Sequence, residues 1–216
     1  MTGTPLHARL PRLLAVAALL AAAVGTGAGV GLQLALHRAS ASPAVSKPAL
    51  YGEAVWAAGR RAAPAFALRD QRRRVVSLAS ERGRTVVLAF MDPRCKQECP
   101  IEGRALAHAE LQVPAAQRPV LLIVSVNPRA TAADARAASR EWSLAGDWHW
   151  LLGRRAELAR VWRAYDITVI PKSSDIVHST AVYLIDRRGF ERVGLIAPFE
   201  PPFVADDLRA LAREPA

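Results

Sequence analysis

Cysteine is nearly absent from this chain: Cys95 and Cys99 are the only two in 216 residues. That scarcity excludes a small disulfide-stapled scaffold, which needs several bridges in place of a core. Lysine is just as scarce, with only Lys47, Lys96 and Lys172, so the formal charge of +10 is carried almost entirely by Arg. The arginines are scattered, as at Arg69, Arg72, Arg73, Arg74, Arg118, Arg129, Arg136 and Arg140, and they form no periodic basic face. Aromatics to interleave with them make up only 6% of the chain. A nucleic-acid partner is therefore not expected, and the charge reads as a solvated surface. With 51% hydrophobic and 22% charged residues, the chain is also not a disordered tail.

Charge is missing altogether from residues 13–36, a run of 24 residues. As a helix it spans about 36 Å, enough to cross a bilayer with some tilt. Arg9 and Arg12 precede it, so residues 1–12 are expected in the cytoplasm and the rest of the chain on the extracytoplasmic side of the cell membrane. A cleaved signal peptide is the rival reading, because Ala39-Ser40-Ala41 resembles a small-residue cleavage site. Both readings export the remainder. Gly25, Gly27, Gly29 and Gly31 fit either helix approach in lipid or simple tolerance of Gly there. They imitate a nucleotide loop, but no strand precedes them.

Residues 37–58 are expected to be a linker, rich in Ala, Ser and Pro at its start, and residues 59–216 a single folded domain. Phe66 to Arg69 and Val75 to Leu78 suggest a hairpin, and Thr85 to Met91 and Pro119 to Val126 read as buried strands. A helix is expected from about Cys99 to Leu111, with Pro100 in its first turn. Another is expected from Thr131 to Trp142, with Thr131 and Asp134 as a capping box. Trp148 to Leu151 reads as a strand and Arg154 to Tyr165 as a helix. Ser179 to Ile185 and Phe190 to Ile196 form a late hairpin, and Ala205 to Ala212 a closing helix. This order predicts an α/β fold, a thioredoxin-like mixed sheet flanked by helices and preceded by one transmembrane helix.

Both cysteines lie where a strand gives way to a helix, in Asp92-Pro93-Arg94-Cys95-Lys96-Gln97-Glu98-Cys99-Pro100. Free amides at a helix start favour thiolate, and two thiolates with one imidazole make a soft donor set suited to copper(I). The candidate imidazole is His178. It directly precedes the strand Ser179 to Ile185, and in a thioredoxin-like arrangement the loop there faces the cysteine loop. His7, His37, His108 and His149 are expected to be structural or surface residues.

The Cys95-xxx-Cys99-Pro100 element, Ser125-Val126-Asn127-Pro128, Trp142, Leu152-Gly153, Tyr165 and the segment from His178 to Asp186 together resemble the Sco/SenC family, over about residues 64–212. The resemblance implies a thioredoxin-like fold and a copper ion held by Cys95, Cys99 and His178. It also implies delivery of copper to the binuclear copper site of cytochrome c oxidase subunit II or another copper-accepting protein, or reduction of that site's cysteines. The family usually has Asp where Asn127 and Val177 stand, so His178 is expected to lack a carboxylate acceptor.

Four other readings remain, of which a tethered binding module without chemistry leaves the cysteine placement and His178 unexplained. A thiol–disulfide oxidoreductase would use Cys95 and Cys99 without metal, although its usual spacing is two residues with a proline opposite. A peroxidase would need a hydroxyl beside one lone thiol, which Pro93-Arg94-Cys95 does not offer. A structural disulfide closing so short a loop would stabilise by only about 2 kcal/mol.

Overall fold

The computed structural model describes residues 50–173 and 175–215. The expected transmembrane segment 13–36 and most of the expected linker lie outside them. Among the described residues no helix is long and apolar enough to cross a membrane.

In chain order the strands are β1 (Ala54–Val55), β2 (Ala67–Asp70), β3 (Val75–Ser77), β4 (Val86–Met91), β5 (Val120–Ser125), β6 (Asp147–Leu152), β7 (Val169–Pro171), β8 (Ile176–His178), β9 (Ala181–Ile185) and β10 (Glu191–Ile196). The helices are α1 (Glu98–Leu111), α2 (Ala132–Glu141), α3 (Arg155–Ala164) and α4 (Pro201–Arg213). Eight strands form one sheet in the order β1-β10-β9-β4-β5-β6-β2-β3, and β7 and β8 pair separately. β4, β5 and β6 run parallel, while β9 joins β4 antiparallel, so the sheet is mixed as expected.

The central strands owe their place to composition. Every residue of β4 and β5 is buried, as continuous apolar runs require when helices cover both faces. The two-residue period then splits the core. Val87, Ala89 and Met91 face Leu106 of α1, Ala135 of α2 and Leu208 of α4, while Val86, Leu88 and Phe90 face Leu158, Val161 and Trp162 of α3. Thr131 caps α2 with Asp134 in the expected box.

Beyond shifts of a residue or so, two boundaries and one hairpin differ from expectation. The ordered structure starts before Gly59: Leu50 is buried, and β1 pairs with β10 although it falls within the expected linker. Such a two-residue strand has no period to detect. α4 starts at Pro201 rather than Ala205, because Pro in a first turn gives up no helical hydrogen bond. The β7–β8 hairpin was not foreseen, and it places His178 at a strand end rather than in a loop.

Candidate metal centre

The cysteine loop is built on the end of β4. Asp92 turns the chain by accepting the Arg94 amide hydrogen at its Oδ1 (2.9 Å) and the Cys95 amide hydrogen at its carbonyl (3.1 Å). The Asn127 side-chain amide donates to both Asp92 carboxylate oxygens, at 3.2 and 3.0 Å, and ties this turn to the end of β5. Cys95 is half-buried in the loop, whereas Cys99 lies buried in the first turn of α1. Both are free thiols.

The pair is strongly polarised. The Cys99 thiol donates to Cys95, and the amides of Gln97, Cys99 and Glu98 also point at its sulfur; against the opposing effect of burial, these bring the Cys95 pKa down to about 5. The same bond to Cys95 and its own burial push the Cys99 thiol far up. Cys95 is thus a thiolate at neutral pH and Cys99 holds the proton between them.

His178 reaches this pair from the other side. β8 pairs with β7 so that His178 lies opposite Val169. The ring's Nε2 is 3.6 Å from Cys99 Sγ, and its Nδ1 is 2.8 Å from the Ser179 carbonyl oxygen. A carbonyl can only accept, so Nδ1 carries a hydrogen and Nε2 is the ring nitrogen that faces the sulfur. The Ser179 carbonyl thus fills the acceptor role that the sequence left vacant. Val177, half exposed, alternates to the opposite face of the strand.

The spacing suits a shared ion. With zinc-like bonds of about 2.3 Å to sulfur and about 2.0 Å to nitrogen at trigonal angles, the two donors stand about 3.7 Å apart. Among the described residues, however, no group of three or more His, Cys, Asp and Glu side chains is already closed to metal-binding geometry. The donors are neighbours by pairs, Cys95 with Cys99 and Cys99 with His178.

The other histidines are as expected where described. His149 is buried between Asp70 and Asp147, with ring nitrogens 3.1 Å from each carboxylate, and His108 is exposed. His7 and His37 lie outside the described residues. Glu102 was missed by sequence reasoning. It is one turn along α1 from Cys99 and only 3% exposed, and neither carboxylate oxygen has a hydrogen-bond partner among the described residues. Burial first, then the charges of Cys95 and Glu98, push its carboxyl well above the usual range. Its only sequence signal was a charged residue on the core-facing stripe of α1.

The SCO1/SenC family profile matches residues 57–213. The chain belongs to the SCO1/SenC family. Its mixed sheet flanked by helices matches thioredoxin-like Sco structures. Bradyrhizobium japonicum ScoI with copper bound is 24% identical with a TM-score of 0.61, over 69% of this chain and 99% of that one. Arabidopsis thaliana ScoI with copper bound is 19% identical with a TM-score of 0.63, over 70% and 99%. BsSco, a Sco-family cytochrome c oxidase assembly protein with an identified disulfide switch, is 15% identical with a TM-score of 0.63, over 74% and 98%. No curated protein matches the chain in a sequence search.

Proposed function

We propose that this SCO1/SenC protein binds one copper ion through Cys95, Cys99 and His178 and passes it to a copper-accepting protein, subunit II of cytochrome c oxidase, from a membrane tether at residues 13–36 on the extracytoplasmic side. The carrying observation is the His178 imidazole, whose Nε2 faces the Cys99 sulfur while Nδ1 is held by the Ser179 carbonyl. A plain dithiol enzyme has no use for that third donor. Two sulfurs and one nitrogen form a soft site that prefers copper(I). The half-exposed position of Cys95 leaves one donor open to an incoming ligand, as transfer of a cargo ion requires. The copper-bound Sco relatives support the choice of metal.

Metal analysis of the reduced full-length protein loaded with copper(I) tests this reading. Wild type is expected to retain one copper and His178→Ala to lose it readily in competition with a chelator. Equal retention by the variant would move the assignment to a dithiol enzyme. Oxidase copper content in a deletion strain tests the recipient, with a normal content ruling out subunit II. A second reading, disulfide exchange through Cys95 and Cys99, is favoured by the pairing of a half-exposed with a buried thiol. Insulin reduction as fast as that of a thioredoxin would support it.

A further inference from the structure

Beside the cysteine loop a groove of about 470 Å³ runs from Asp92 and Arg94 to the β7–β8 hairpin. Its apolar lining includes Val126, Trp162, Val169 and Ile176. Ile176 is two residues before His178 on the same strand, so the two share a face, and Val169 is paired directly across from His178. The groove therefore borders the hairpin that carries His178.

Its lining is cationic. Arg94, Arg129, Arg155 and Lys172 contribute four positive charges against the two carboxylates of Asp92 and Asp175. The negative pair is already engaged: Asp92 accepts from Asn127, and Asp175 Oδ1 accepts the Ile176 amide hydrogen. Arg94 lies 3.7 Å from Asp134. Arg129, Arg155 and Lys172 are exposed and make no ion pair among the described residues. One wall is a two-stranded sheet whose strands pair only with each other among the described residues, so each keeps a free backbone edge. Unpaired edges, an apolar floor and a surplus of positive over negative side chains together match an extended peptide with alternating acidic residues.

We infer that this groove is the docking site for an extended acidic segment of the protein that exchanges copper with Cys95, Cys99 and His178. The identity of that partner as a copper acceptor rests on the proposed function; the preference for an acidic chain rests on the groove alone. Arg129, Arg155 and Lys172 draw the segment in, and the hairpin edge holds its backbone beside the thiols.

The test uses the full-length, copper-free protein and two short fluorescent peptides, one alternating Glu with Val and the other alternating Gln with Val. The Glu peptide is expected to bind in a salt-sensitive manner. Replacing the three cations together (Arg129→Glu, Arg155→Glu, Lys172→Glu) is expected to weaken it about tenfold or more, and the Gln versions to weaken it less. Reversing Arg60, Arg104 and Arg213, which are exposed and outside the groove, is expected to leave binding unchanged, with urea midpoints confirming that every variant is folded. Equal binding of both peptides, or no loss in the groove variant, overturns the proposal. So does tighter binding of a single-stranded oligonucleotide of equal charge at the same cations. Copper retention is scored separately. A chain that binds the peptide but no copper contradicts the proposed function, and one that holds copper but ignores the peptide contradicts the groove.

Discussion

Asn127→Asp introduces a second carboxylate directly beside Asp92. The Asn127 amide nitrogen is 3.0 and 3.2 Å from the two Asp92 oxygens, so the substitution turns two hydrogen bonds into a carboxylate pair at that range. Two unit charges about 3.1 Å apart repel by about 5 kcal/mol at an effective dielectric of about 20. Protonating one carboxyl at pH 7 costs only about 4 kcal/mol, so the pair takes up a proton instead and the loss is capped there. Because Asn127 is partly exposed, the expected destabilisation is about 2–4 kcal/mol near pH 7. The raised carboxyl stabilises the fold only below the ordinary carboxylate range, and this contribution is lost as pH rises through its raised value. The gap from wild type should therefore close to under about 1 kcal/mol near pH 3.5. Urea unfolding of both proteins at the two pH values measures it. A variant as stable as wild type near pH 7, or a gap independent of pH, would refute the reasoning.

Glu102→Met is expected to raise stability by about 1–3 kcal/mol, because it removes a buried carboxyl that has no hydrogen-bond partner among the described residues. Since the folded pKa of Glu102 is raised, wild-type stability falls as pH climbs above the carboxylate range, and the gain should widen as pH rises above about 4.5 in urea titrations. A constant gain would show that charge is not the cause. Alkylation of Cys95 by a neutral reagent should rise as pH passes about 5 and then level off. In Cys99→Ala, which lacks the thiol donor, the midpoint should move up toward about 8.5; a wild-type midpoint already there would remove the polarised pair. Val177→Asp should change copper(I) affinity by less than about threefold, because its side chain lies on the face away from His178; a gain of about tenfold or more in a chelator competition would place the new carboxylate against the ring.

Most of the architecture was legible because buried strands and capped helices leave local marks. The runs Val86–Met91 and Val120–Ser125 are apolar throughout, and Thr131 with Asp134 announces its helix end. The cysteine loop was legible from its position between a strand and a helix, and His178 from its place ahead of β9. What escaped depends on contacts distant in sequence. β1 is held by pairing with β10, about 140 residues away. The β7–β8 hairpin is short, and nothing in Val169–Pro171 alternates strongly enough to mark it. The acceptor for His178 is a backbone carbonyl, which no side-chain pattern encodes. The Asp92–Asn127 clamp joins the ends of two parallel strands that are adjacent only in the folded sheet.

X-ray absorption at the copper edge of the copper(I)-loaded full-length protein measures the donor set itself. Two sulfurs and one nitrogen are expected in wild type, with the nitrogen lost in His178→Ala. Two sulfurs alone in wild type, or a nitrogen that persists in the variant, would contradict the assignment of His178 as the third ligand.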